Sequence, residues 1–302
     1  MESLLAHRLI VVTGKGGVGK TTVAAAIGLE AARRGRRTMV AEVARRTDVA
    51  GVLDAAHTGD GAAETELAPG LFHVSVDPEQ AMEEYLRDQL PSAAAGLLNR
   101  SRLFGLLAAA TPGLRELLTV GKLWELAQLD RRTPGATPYD LVIVDAPATG
   151  HGVAVLSAPR AFAGAAHTGP VARQASIIHA TLSDPEVTAI VAVARAEELA
   201  VTETLALQAA LRDTLDAELD AIVVNALAPD RFTPADARRL EEQPDGPGVQ
   251  RALAAHARAR RQRAQLARLT RATGHRALRL HAQAVATPDL AALADELAGQ
   301  LA

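Results

Sequence analysis

The sequence predicts an α/β fold, a mostly parallel sheet of seven to eight strands with helices on both faces and a helical insertion. Three observations predict it. Short β-branched apolar runs alternate with long alanine- and leucine-rich stretches, the pattern of parallel strands joined by crossover helices. The first apolar run leads at once into a glycine-rich turn that opens a helix. Finally, the 302 residues can bury a large core and show no stretch that reads as an interdomain linker. Residues 1–302 therefore read as a single domain.

Taken in order, the first strand is RLIVVT (8–13), whose residues are apolar on both sides as a strand covered by two helical layers requires. A helix follows over 20–34 and is closed by Gly35. Strands come next at RTMVAEV (37–43) and LFHVSV (71–76). Helical periodicity then runs through 78–90, 92–109 and 112–130 with no strand between, punctuated by Pro91 and by Pro112–Gly113. The segment from about 78 to 131 thus reads as the insertion, stacked on one end of the sheet. YDLVIVD (139–145), VTAIVAVA (187–194), ELDAIVVNA (218–226) and RALRLH (276–281) supply further strands, seven in all. Helices are expected at 159–182, 196–214, 234–242, 248–273 and 288–301, and no internal repeat is visible.

Gly14, Lys15, Gly16, Gly17, Val18, Gly19, Lys20, Thr21 and Thr22 fit G-x-x-x-x-G-K-[ST] in its required strand-to-helix context. Its glycines let successive N–H groups turn in around phosphate oxygens, and the helix N-terminus adds the positive end of its dipole. Lys20 would hold the β and γ phosphates of ATP, and the Thr21 hydroxyl would ligate Mg²⁺. Lys15 is surplus to that task. Asp145 ends an apolar strand where a Mg²⁺-side carboxylate belongs.

The loop GKGGVGKT and the sequence DAPATGH (145–151) together resemble the arsenite-pump-type ATPases (ArsA) and their relatives that deliver tail-anchored membrane proteins. The segments SVDPEQAMEEYL (75–86) and TPGLRELLTVGKLWELAQL (111–129) look like a bacterial branch of the same family. The resemblance covers most of the chain. It implies a dimeric Mg²⁺-dependent ATPase, paired with itself or with a paralogue, in which Lys15 reaches across a two-fold interface to the partner's nucleotide. It further implies that Asp145 serves the metal through water and that Thr149, Gly150 and His151 report the γ phosphate to the following helix. Asn225 falls where the family reads the adenine edge, although an asparagine capping a strand end fits the residues as well. Glu42 stands where relatives carry the aspartate that orients the attacking water, one methylene longer than that residue.

Other features narrow the partners. The chain has no cysteine, which excludes thiolate capture of metalloids, a thiolate zinc clasp and disulfides. The N-terminus runs straight into the first strand without a targeting signal, and no stretch of about 18 apolar residues suggests a membrane span, so a cytoplasmic protein is expected. A formal net charge of −3 gives no global attraction to nucleic acid. Residues 249–279 nevertheless hold nine arginines and no carboxylate, which reads as the solvated face of a long helix or as a phosphate-binding face. A partition or positioning ATPase acting on DNA or membrane is therefore the first alternative. Against the membrane version, the terminal helix from Leu290 to Leu301 carries acids and no Lys or Arg. An ATP-dependent small-molecule ligase is the second alternative, and it would need polar groups that the insertion lacks. In the insertion, Leu97, Leu98, Leu103, Phe104, Leu106, Leu107, Leu114, Leu117, Leu118, Leu123, Trp124 and Leu126 recur at helical spacing, either as core or as a groove for a hydrophobic client.

Overall fold

The structure, a computed structural model, describes residues 2–43, 46–55, 63–89, 111–133, 135–165, 169–284 and 287–301. Its strands are β1 (Leu9–Gly14), β2 (Thr38–Val43), β3 (Thr65–Ala68), β4 (Leu71–Val76), β5 (Leu141–Asp145), β6 (Thr188–Arg195), β7 (Ala221–Leu227) and β8 (Ala277–His281). They form one sheet in the order β3-β4-β2-β5-β1-β6-β7-β8, and every pairing except β3 with β4 is parallel. The fold is the expected α/β one.

Helices cover both faces because the central strands β1, β5 and β6 are buried and apolar on both sides. Leu9 and Val11 of β1 point into one cluster, with Val120, Leu123 and Leu126 of a helix at Leu114–Leu126. Ile10 and Val12 point into the other, with Val23 and Ile27 of a helix at Lys20–Arg33 and Leu293 and Leu297 of one at Leu290–Leu301. That alternation within a wholly buried strand follows from the two-residue period of the pleat. In chain order the helices are α1 (Glu2–Ala6), α2 (Lys20–Arg33), α3 (Asp48–Val52), α4 (Pro78–Gln89), α5 (Leu114–Leu126), α6 (Thr149–Ala165), α7 (Pro170–Ser183), α8 (Glu198–Leu215), α9 (Pro234–Glu241), α10 (Pro247–Thr273) and α11 (Leu290–Leu301).

The eighth strand allowed by the expected count is β3, which pairs antiparallel with β4 across the turn at Pro69 and Gly70. Two expectations are corrected. The helix expected over 159–182 is two, because α6 begins at Thr149 and carries Pro159 inside it, while Gly169 and Pro170 start α7 afresh. The insertion does not simply cap an end of the sheet, since Val120, Leu123 and Leu126 of α5 enter the core on one face. Leu97, Leu98, Leu103, Phe104, Leu106 and Leu107 lie outside the described residues. Of the other leucines, Leu117, Leu123 and Leu126 are buried as core residues. Leu114 and Leu118, together with Leu117, line a cavity of about 340 Å³ bounded by α4, α5, α6 and α7.

Candidate functional site

The phosphate loop joins the end of β1 to α2 at the carboxyl edge of the sheet, and two of its glycines are dictated by space. Gly14 sits at φ +144, and a Cβ there would lie 2.2 Å from the Val193 carbonyl oxygen of β6. Gly19 sits at φ +93, and a Cβ there would lie 2.3 Å from the Asn225 amide nitrogen. Both positions exclude side chains on conformation and contact together. The resulting turn leaves the N-terminus of α2 with no side-chain cap and no acid in its first turn. Such a bare, positive helix end suits an anion.

Lys20 opens that helix and is buried, its Nζ donating to the Lys15 carbonyl at 3.2 Å. Burial lowers its pKa, opposed by the negative charge of Asp145 and reinforced by the positive charge of Arg46. The Thr21 hydroxyl donates to Asp145 Oδ2 at 2.6 Å. Asp145 is wholly buried at the end of β5, and its Oδ1 has no hydrogen-bond partner. Burial raises its pKa most, while the Thr21 hydrogen bond and the Arg46 charge pull it down. A stranded interior oxygen, on a carboxylate whose other oxygen takes the Thr21 hydroxyl and which feels the Lys20 charge, suits a hydrated divalent cation, so these residues fit Mg²⁺.

Lys15 points elsewhere. Its Nζ pairs with Glu203 Oε1 of α8 at 2.9 Å, both side chains about one-third exposed. Gly16 approaches the next functional segment, a Cβ there lying 3.9 Å from Ala148 Cβ. Gly17 lies at the exposed tip of the loop, and Thr22 continues α2 behind Thr21. Thr149, Gly150 and His151 form the first turn of α6, with the His151 N–H donating to the Ala148 carbonyl at 2.9 Å.

Asn225 is docked on the loop. Its side-chain amide donates to the Val18 carbonyl at 2.9 Å, and its Oδ1 accepts from the Ala226 N–H at 2.8 Å. Ala226 itself is held at φ 56. Gln262 of α10 braces the same turn by accepting from the Ala228 N–H at 2.7 Å.

Glu42 departs from the expected water-orienting arrangement. It is fully buried, and its two oxygens accept from the Asp48 and Val49 N–H groups at 3.1 Å each, at the start of α3. His73 Nε2 lies 2.8 Å from Oε2. In this geometry the carboxylate anchors α3 and β4 to the end of β2. Glu42→Gln is therefore expected to cost about 1–3 kcal/mol of stability, because the amide must face one of these donors with its own N–H₂. A denaturant melt reads that loss. Unchanged stability with slowed turnover would instead restore the water-orienting role.

Sequence reasoning gives Arg46 no role and places Glu203 only within a segment, 196–204, that resembles a family stretch flanking the base. Arg46 Nη2 lies 2.6 Å from Asp145 Oδ2 and 3.9 Å from Glu42 Oε1. The only sequence signal for it is position, a cation three residues beyond a strand that ends at the sheet's functional edge. The arginine stretch forms α10, where Arg251, Arg258, Arg260, Arg261 and Arg271 are exposed and Arg263 pairs with Asp230. No described helix is long and apolar enough to cross a membrane.

A family model described as anion-transporting ATPase matches residues 7–167 and 165–244. ATPase BagA of Mycobacterium tuberculosis is 34% identical over 256 residues, covering 82% of this chain and 73% of that protein. An arsenical pump-driving ATPase of Acidiphilium multivorum is 28% identical over 245 residues, 74% of this chain and 40% of the relative. An ATPase ASNA1 homolog of Entamoeba dispar is 32% identical over 162 residues, 50% of this chain and 45% of the relative.

Proposed function

This chain belongs to the anion-transporting ATPase (ArsA) family and hydrolyses ATP, and from that premise we propose a Mg²⁺-dependent two-fold dimer, with itself or a paralogue, whose nucleotide state reshapes a helical surface for a hydrophobic client or partner. One observation carries this reading. The segment that follows Asp145 passes the phosphate loop at Ala148 and leads directly into α6, and α6 delivers Phe162 to the wall of the apolar cavity. From Thr149 to Phe162 the helix spans about 20 Å at its usual rise. A helix that starts beside the γ phosphate position and ends at the cavity can carry a displacement between them.

Each group then has a task. Lys20 and the N–H groups of the loop hold the phosphates, and the charge they present opposes the charge that develops on the transferred group. Thr21 and Asp145 would hold Mg²⁺, Asp145 through water. The ion, when bound, neutralises phosphate charge. Thr149, Gly150 and His151 sense the γ phosphate as the first turn of α6, and Asn225 faces the base side of the loop. Lys15 serves the partner's nucleotide. The cavity supports the client function because Met82, Leu114, Leu118, Phe162, Val171 and Ile178 give it an apolar lining.

The decisive experiment measures mass and turnover together. Sedimentation with a non-hydrolysable ATP analogue and Mg²⁺ is expected to show a species of twice the monomer mass, and specific activity is expected to rise with protein concentration until pairing saturates. Chelation of Mg²⁺ should remove both. A monomer with full, concentration-independent turnover would overturn the reading.

A further inference from the structure

Two buried carboxylates lie side by side at the functional edge of the sheet. Glu42 and Asp145 are register partners on β2 and β5, and both are fully buried. Burying two like charges together is costly unless a cation is shared between them. Lys20 is not in contact with either, since its ammonium donates to the Lys15 carbonyl. The cation at hand is Arg46, which reaches in from a side chain 35% exposed. Its Nη2 is 2.6 Å from Asp145 Oδ2 and 3.9 Å from Glu42 Oε1, and its Nε is 3.9 Å from Asp48 Oδ2.

The same Asp145 oxygen accepts the Thr21 hydroxyl. As a metal ligand, Thr21 would turn a lone pair toward the ion and could keep donating its proton to Asp145, which fixes the ion close to that carboxylate. A guanidinium hydrogen-bonded to that oxygen would then face a dication a few ångströms away. The two cations repel at short range in a site screened from solvent.

We infer that Arg46 is a resident counter-ion beside the metal's place, held on the other oxygen of Asp145, and that binding of the metal and nucleotide evicts it. This inference rests on the assignment of Thr21 and Asp145 to Mg²⁺. Eviction releases a tie from Arg46, ahead of α3, to the end of β5, while Glu42 keeps hold of the first amides of α3. Arg46 is a positioning residue. Its positive charge offsets the two buried carboxylates when no metal is bound.

The test uses the whole, nucleotide-free protein and Mn²⁺ as the probe, with bound metal read by electron paramagnetic resonance. Wild-type protein is expected to bind Mn²⁺ only weakly. Arg46→Gln is expected to gain a single Mn²⁺ site at least about tenfold tighter, since one positive charge beside the metal has gone. Arg46→Lys should stay close to wild type, and a second change, Asp145→Asn, should abolish the gain. In melting experiments without nucleotide, Mg²⁺ should raise the Tm of Arg46→Gln more than that of wild type. Tight Mn²⁺ binding by wild-type protein without nucleotide would overturn the inference, and that measurement requires no variant. Equal Mn²⁺ affinities for wild type and Arg46→Gln would overturn the role of Arg46 alone. Mn²⁺ that survives Asp145→Asn in the ATP-loaded wild-type background would overturn the metal assignment, and the inference with it.

Discussion

Lys20→Ala is expected to abolish ATP turnover, with a fall of about a thousandfold or more and a loss of nucleotide affinity of about ten- to a hundredfold. The size follows from where the ammonium sits. It is buried at the first turn of α2, oriented by the Lys15 carbonyl, with no carboxylate in direct contact to neutralise it. Burial has already lowered its pKa, so desolvation is met in the folded protein before ligand arrives. A phosphate entering the loop meets an unspent positive charge at short range, where a charge-assisted hydrogen bond is worth about 1.5–3 kcal/mol. The variant removes that contact in the ground state and again as negative charge develops on the transferred group. Folding should survive, because alanine relieves the desolvation and suits a helix. Turnover assays and titration with a fluorescent ATP analogue separate the two losses, and near wild-type turnover would show that the loop is not the catalytic one.

Much of this architecture was legible because it is locally encoded. The strands of β1, β2, β4 and β5 are short apolar runs with turn residues at their ends, and the loop after β1 is a contiguous motif whose spacing fixes its backbone. The misses have identifiable causes. β3 is four residues long, half-buried, and carries a single β-branched residue, so it gives no alternation to read. The Pro69–Gly70 turn before β4 was the available signal. The first turns of α6 carry Gly150 and Gly152, poor helix formers that give no sequence signal for its start at Thr149. Gly152 is there for closeness, since a Cβ would lie 2.9 Å from the Pro147 carbonyl and 3.0 Å from Thr13 Oγ1. Arg46 and Glu203 were illegible for a different reason. Their partners Asp145 and Lys15 lie 99 and 188 residues away, and only the sheet order brings them together.

Lys15→Ala is expected to separate binding from hydrolysis. Within its own subunit the Lys15 side chain turns away from the phosphate position and toward α8, where Glu203 Oε1 holds it at 2.9 Å. Its contribution to its own loop is the backbone carbonyl that orients Lys20, which alanine retains. Nucleotide affinity should therefore stay within about threefold of wild type, well under the 1.4 kcal/mol that a tenfold change represents. The lost ion pair is part-exposed, so stability should change by no more than about 1 kcal/mol. Hydrolysis is another matter if Lys15 acts on the partner's nucleotide, because a cation supplied across an interface to the developing charge is worth about 10³ or more in rate. Glu203→Gln provides the counterpart, since it frees Lys15 without removing it. That variant should keep its turnover and reach full activity at lower protein concentration, as the lysine no longer has to leave a carboxylate before crossing. Mixing Lys15→Ala protein with an excess of Lys20→Ala protein adds a test specific to the two-fold arrangement. The Lys20 variant still carries an intact Lys15 and can offer it to the nucleotide held by its partner. Recovery of hydrolysis in the mixture requires Lys15 to act in the other subunit. Unchanged turnover of Lys15→Ala alone would leave the lysine no role beyond its contact with Glu203.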